Sequence, residues 1–124
     1  MIQDVFIIGA TGKVGKTVVR QIFERGDTDL RMHLNPTRVV GLASSADFIY
    51  SSDGLAKNEA YSFANREKKN AKSYGNLFEL LELAQNGFRQ GKSTLVFVDV
   101  TALHEPMTEF HLHVMEKTPH GIVT

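Results

Sequence analysis

Val5-Phe6-Ile7-Ile8-Gly9-Ala10-Thr11-Gly12-Lys13-Val14-Gly15-Lys16-Thr17-Val18-Val19-Arg20-Gln21-Ile22-Phe23 passes from a continuous apolar run, through three glycines, into a patterned segment. The run of four suits a strand buried on both faces, as in a parallel sheet. After the glycines, Val14, Val18 and Ile22 recur every four residues, and Val19 and Phe23 widen that stripe. Lys13, Lys16, Arg20 and Glu24 fall on the other side, so the spacing predicts an amphipathic helix that Gly26 stops. Strand, glycine turn and helix in this order form the unit that binds dinucleotide phosphates. One glycine allows the tight turn, a second lets the backbone approach the pyrophosphate, and a third lets helix and strand pack closely. The helix N-terminus then offers free N–H groups and partial positive charge. The spacing is G-x-x-G-x-x-G, with Ala10 where the commoner form has its first glycine. The candidate phosphate-binding residues are Gly9, Ala10, Thr11, Gly12, Lys13, Val14 and Gly15.

Two other readings compete with this one. A glycine turn can simply join a strand to a helix. The triphosphate loop G-x-x-x-x-G-K-[ST] matches Gly15-Lys16-Thr17 at its end, but its leading glycine would fall on Ala10, and Lys16 would lie on the helix.

The same alternation continues downstream. Residues 27–37 read as a loop, with Asp27, Asn35 and Pro36 as breakers, and Thr37-Arg38-Val39-Val40-Gly41-Leu42-Ala43 as a second strand. Residues 44–58 are polar and turn-rich, and 59–72 are charged, fitting a short surface helix or a loop. Asn76 is placed to cap a helix whose apolar face is Leu77, Leu80, Leu81 and Ala84, ending at Gly87 or Gly91. Leu95-Val96-Phe97-Val98-Asp99-Val100 is a buried strand. Pro106, Met107, Phe110, Val114 and Lys117 mark a further helix, closed by Gly121, and Ile122-Val123-Thr124 begins a fourth strand. Strand–helix alternation implies an α/β domain with a parallel sheet and right-handed crossovers. Ending inside an apolar strand suggests a domain cut after the start of its fourth strand.

Composition narrows the function classes. The chain has 124 residues, the size of one domain (1–124), with 42% hydrophobic and 23% charged residues. It has no cysteine, so disulfides, thiolate metal sites and a cysteine nucleophile are excluded. Fourteen basic and fourteen acidic residues give zero net charge, which argues against nucleic acid or an acidic membrane as partner. No apolar run reaches the roughly 18–20 residues of a membrane span. The start Met1-Ile2-Gln3-Asp4 lacks a signal peptide's basic segment, so a cytoplasmic protein is expected. His111 and His113 are two apart on a helix and point apart; His104 and His111 can share a face but lack a third ligand, so no metal site is expected.

The second strand ends Leu42-Ala43-Ser44-Ser45, without an acid until Asp47. An acid in that place favours the non-phosphorylated cofactor, so this ending leans slightly to NADP, with NAD left open.

In three segments the chain resembles the N-terminal domain of homoserine dehydrogenases. These are F-I-I-G-A-T-G-K-V-G-K-T-V-V-R-Q-I at the start, R-V-V-G-L-A-S-S-A-D-F-I-Y-S-S-D-G-L in the middle, and V-F-V-D-V-T-A-L-H-E-P-M-T-E-F-H-L-H-V-M-E-K-T-P-H-G-I-V-T at the end. The resemblance implies a Rossmann-type, doubly wound sheet. It also implies an oxidoreductase that interconverts L-homoserine and L-aspartate 4-semialdehyde with NAD or NADP, a step toward threonine and methionine. By the same resemblance residues 9–15 hold the pyrophosphate, Ser44 and Ser45 face the adenosine ribose, and Thr101 and Ala102 line the nicotinamide end. The family's reacting lysine, its substrate-binding acids and its dimer-forming region follow the position of Thr124. No catalytic residue is therefore expected within these residues, homoserine turnover is not expected from them alone, and a homo-oligomer is expected only with that later region. The alternative is a binding module of the atypical short-chain dehydrogenase type, which shares G-A-T-G-x-x-G. Its reductases use Tyr-x-x-x-Lys, whereas Tyr50, Tyr61 and Tyr74 are followed four residues later by Gly54, Asn65 and Phe78.

Overall fold

A computed structural model describes residues 2–24, 37–67, 70–87, 93–101, 112 and 121–123. The strands are β1 (Ile2–Ile8), β2 (Thr37–Ala43), β3 (Asp47–Tyr50), β4 (Lys72–Ser73), β5 (Ser93–Asp99) and β6 (Gly121–Val123), and the helices are α1 (Lys13–Glu24), α2 (Lys57–Ala64) and α3 (Leu77–Gly87). They build one six-stranded sheet in the order β4-β3-β2-β1-β5-β6. The fold is thus mixed α/β with a mostly parallel, Rossmann-like sheet.

β1 is parallel to both β2 and β5, and β6 is parallel to β5. Its apolar run is explained by this position, since a central strand covered on both faces has no solvent side. Phe6 and Ile8 join Val40, Leu95 and Phe97 under Leu80, Leu81 and Ala84 of α3. Val5 and Ile7 point the other way, into a cluster with Val19 of α1 and Ala60 and Phe63 of α2. The register slips between Val5 and Phe6, so Val39 pairs with Val5 while Gly41 pairs with Phe6. Gly41 is needed there: a Cβ would come within 2.3 Å of the Phe6 ring. The ring lies between those of Tyr50 and Phe97, with centroids 6.1 and 5.7 Å away.

The expectation of an all-parallel sheet needs correction. β3 runs antiparallel to β2, and β4 antiparallel to β3, within stretches expected to be turns, loop or helix. Phe48-Ile49-Tyr50 carries the aromatic and β-branched character of a strand, but three residues between serine-rich turns are too few to show a period. A helix over Lys57–Ala64 begins in the stretch read as turn-rich and takes in the start of the undecided charged one, and Glu59 accepts a hydrogen bond from the Ala56 N–H at 3.2 Å. α3 is capped as expected: the Asn76 side-chain oxygen accepts from the N–H of Phe78 at 2.8 Å, and Glu79 accepts from that of Gly75 at 2.8 Å.

The α1 stripe is also revised. Val19 is buried, and Val18, Ile22 and Phe23 pack against its cluster, but Val14 is 61% exposed. Val14 lies in the first turn of the helix, beside the glycine turn and ahead of the part that meets α2. Gly26, Gly91, and the helix expected around Pro106, Met107, Phe110, Val114 and Lys117 fall outside the described residues, as do Ala102, His104, His111 and His113. Among the described residues no helix is long and apolar enough to cross a membrane.

Candidate cofactor-binding site

From β1 the chain moves outward through β2 and β3 to β4, then returns to β5 on the other side of β1. The reversal lies between β1 and β5. In open α/β sheets ligands bind in the crevice beyond the carboxyl ends of the strands at such a point. The glycine turn leaves β1 there.

The three glycines are not equivalent. Gly9 adopts φ +93°, which side chains rarely allow, and a Cβ on it would lie 3.1 Å from the Thr101 methyl and from the Val100 carbonyl carbon. Gly15 is buried, and a Cβ there would come to 2.2 Å from the Gly9 oxygen and 2.7 Å from the Ala10 Cα. It lets α1 approach the end of β1. Gly12 is exposed, has no positive φ, and would place a Cβ no closer than 3.6 Å to the other described residues outside its chain neighbours, an ordinary contact with the Gly9 oxygen. The fold itself therefore makes no demand for glycine at position 12. The absence of a side chain leaves an open cradle over the turn, which is the space a pyrophosphate needs against backbone.

Backbone hydrogen bonds hold the cradle. The N–H groups of Gly9 and Ala10 both donate to the Ala43 carbonyl, at 2.9 and 3.0 Å, fastening the turn to the end of β2. Val100 donates to Ile8 at 3.0 Å, fastening it to the end of β5. Ala10 is completely buried beneath α1 and packs with Val19, so it serves as part of the core. Thr11 is half-buried and Lys13 exposed. With α1 beginning at Lys13, its first N–H groups lack partners within the helix.

Thr101 meets this turn from β5. Its N–H and hydroxyl both donate to the Asp99 carboxylate, at 2.9 and 2.7 Å. Asp99 is 8% exposed at the end of a buried strand, and this double contact fixes the Thr101 methyl against Gly9. The structure thus brings Thr101 to the glycine turn.

Ser44 and Ser45 separate. Ser45 is exposed. Ser44 is 8% exposed, and its hydroxyl is engaged within the turn between β2 and β3. It donates to the Asp47 carboxylate and accepts from the N–H groups of Ala46 and Asp47, at 3.3 and 3.1 Å. The Tyr74 hydroxyl donates to the Ser44 carbonyl at 2.5 Å. Burial first, and then the negative charge of Asp47, raise the Tyr74 pKa above its ordinary value. Sequence alone does not separate the buried Ser44 from the exposed Ser45, nor show the orienting carboxylate of Asp99 or the hydroxyl of Tyr74. An acid closing an otherwise apolar strand was the available signal for Asp99; Tyr74, thirty residues from Ser44, had none.

A cavity of about 220 Å³ between α2 and β3 is lined by Ile49, Phe63, Ser62 and Glu67 among others, and none of its lining residues belongs to the glycine turn.

No protein-family model matches the chain, and no curated protein matches it. Among solved structures it is similar to the crystal structure of homoserine dehydrogenase from Thermoplasma acidophilum, with a TM-score of 0.68 and 19% identity over 98% of this chain. The chain spans 34% of that protein's length. At this identity the likeness establishes the fold.

Proposed function

We propose that the chain is the nicotinamide-dinucleotide-binding domain of an oxidoreductase of the homoserine dehydrogenase type, acting on L-homoserine and L-aspartate 4-semialdehyde in the complete protein. The observation that carries this reading is the contrast within the turn: Gly9 and Gly15 are required by packing, and among the described residues nothing in the packing requires Gly12. A linking turn would leave that position to any residue. The likeness in fold to the Thermoplasma acidophilum enzyme supports the dehydrogenase assignment over a triphosphate-binding one.

Residues 9–15 would hold the pyrophosphate, the end of β2 the adenosine ribose, and Thr101 the nicotinamide end, with Ala102 following it. A bound nicotinamide accepts or gives up a hydride; this chain's residues bind it and orient it. Hydride transfer also needs the substrate held against the ring. In the resembled family the lysine and acids that do so come later than the position of Thr124. The chain alone is therefore expected to bind NAD or NADP weakly and to oxidise no homoserine.

Calorimetric titration with NAD, NADP and ATP tests the site. Saturable one-to-one binding of a dinucleotide, with ATP weaker, is expected. ATP binding more tightly than both dinucleotides would overturn the reading, and homoserine oxidation by the purified chain would overturn the assignment of its chemistry to residues elsewhere.

A further inference from the structure

We propose that Asp99 is a positioning residue for the nicotinamide half of the dinucleotide. By holding Thr101 against Gly9 it shapes the β5 side of the crevice, and the adenosine half binds independently of it. This inference rests on the reading of the glycine turn as a dinucleotide site.

The turn is fastened differently on its two sides. Toward β2, the N–H groups of Gly9 and Ala10 donate straight to the Ala43 carbonyl, so backbone alone ties that wall to the turn. Toward β5, Ile8 and Asp99 stand opposite each other as the last residues of their strands, and the bond from Val100 to Ile8 comes before the turn begins. The turn itself is met there by the Thr101 methyl and the Val100 carbonyl, packed against the bare Cα of Gly9. One oxygen of Asp99, Oδ1, accepts both from the Thr101 N–H at 2.9 Å and from its hydroxyl at 2.7 Å. The first bond sets the backbone where it leaves β5. The second sets χ1 of a β-branched side chain, and the methyl then has a single direction, onto Gly9. Asp99 is 8% exposed, so water competes little for that oxygen.

A dinucleotide spans the point where the strand order of an open α/β sheet reverses, with its adenosine half beside the strand that follows the first helix. Here that strand is β2, which leaves the nicotinamide half to the β5 side, where Asp99 holds Thr101. A supporting wall that loosens by about 1 Å no longer presents its contacts in place. Loss of the Asp99 oxygen therefore frees the wall under one half of the ligand and leaves the bonds to Ala43 under the other. Asp99 has other partners as well, so Thr101 is varied beside it.

The test is calorimetric titration of wild type, Asp99→Ala, Asp99→Asn and Thr101→Val with NAD and with ADP-ribose, which keeps both phosphates and the adenosine but lacks the nicotinamide ring. Wild type is expected to bind NAD about tenfold more tightly than ADP-ribose. Asp99→Ala is expected to lose about fivefold or more for NAD and less than about twofold for ADP-ribose, the scale of one or two hydrogen bonds. Asp99→Asn keeps a carbonyl oxygen that can accept both bonds and is expected to hold wild-type NAD affinity within about twofold. Thr101→Val keeps the bulk and the N–H bond, gives up the hydroxyl bond, and is expected to lose about threefold for NAD alone. A residue that only holds the fold together would weaken both ligands alike. That result overturns the proposal, as does equal binding of NAD and ADP-ribose by wild type, an unchanged preference in folded Asp99→Ala, or a loss in Asp99→Asn as large as in Asp99→Ala. If Asp99→Ala does not fold, Thr101→Val decides: a loss for NAD alone supports the proposal, and no loss, or an equal loss for both ligands, overturns it. Binding of neither ligand by wild type overturns the reading of the turn itself, a separate and recognisable failure.

Discussion

The two ends of the central strands handle polarity in opposite ways. Toward the amino end, Asp4 of β1 and Arg38 of β2 answer each other in a two-pronged pair, with Asp4 only 4% exposed and the Arg38 stem packed toward Gly54. Each charge there has a partner inside the chain. At the carboxyl end, Asp99 and Ser44 are likewise satisfied internally, but their contacts fix the Thr101 methyl and the β2–β3 turn around an open cradle at Gly12. The difference separates polar groups that close a structure from polar groups that prepare a surface. The second arrangement includes a glycine, Gly12, whose residue type its contacts among the described residues do not explain.

The comparison breaks most severely at Gly15. Gly15→Val drives a side chain into the Gly9 oxygen and Ala10 backbone, which cannot move without separating α1 from β1. A loss of about 3 kcal/mol or more is expected, read as a large fall in the urea midpoint. Retention of wild-type stability would mean that α1 does not approach the turn this closely.

Next in size is the amino end. Arg38→Ala leaves the Asp4 carboxylate buried without the guanidinium, at a cost of about 2–3 kcal/mol, somewhat below a fully buried pair because Arg38 is part-exposed. Dinucleotide affinity of the folded fraction is expected to stay unchanged. A fall in affinity would show that the two ends are coupled.

Smaller is Tyr74→Phe, which removes the bond to the Ser44 carbonyl and is expected to cost about 1 kcal/mol near neutral pH. Its pH dependence sharpens the comparison. Burial raises the pKa of both Tyr74 and Tyr50, assisted by Asp47 in the first case and by Asp4 in the second, where Arg38 partly offsets it. A phenol whose pKa is higher folded than unfolded contributes its full share of stability below about pH 10, the unfolded value, and loses it as pH rises through the folded value. Denaturation midpoints should therefore fall above about pH 10, and less steeply in Tyr74→Phe. An identical alkaline slope in the variant would show that Tyr74 ionises as freely in the folded chain as in the unfolded one.

The parts of the molecule legible in sequence are those with a long period or a strict local rule. β2 over Thr37–Ala43, the cap at Asn76 and the glycine turn all follow from residue type and spacing. β3 and β4 escaped because strands of four and two residues carry too little pattern, and their pairing is set by Ser44 and Tyr74 across the turn. The exposed position of Val14 escaped because a periodic stripe does not say where the partner helix stops. In the glycine turn, residue type and spacing locate the three glycines but not their division of labour. Gly9, Gly12 and Gly15 look alike as letters, and only the space around each tells them apart.

The smallest expected effect on stability belongs to Gly12→Val, and it tests the central claim most directly. Among the described residues a Cβ there meets only the Gly9 oxygen, at ordinary contact distance, so stability should change by less than about 0.5 kcal/mol. The same side chain would fill the cradle and hold a pyrophosphate off the backbone. Calorimetric titration of wild type and Gly12→Val with NAD, alongside their urea midpoints, is expected to show equal stability and binding in wild type alone. Equal affinity in both proteins would contradict the account, because the phosphates would then lie elsewhere.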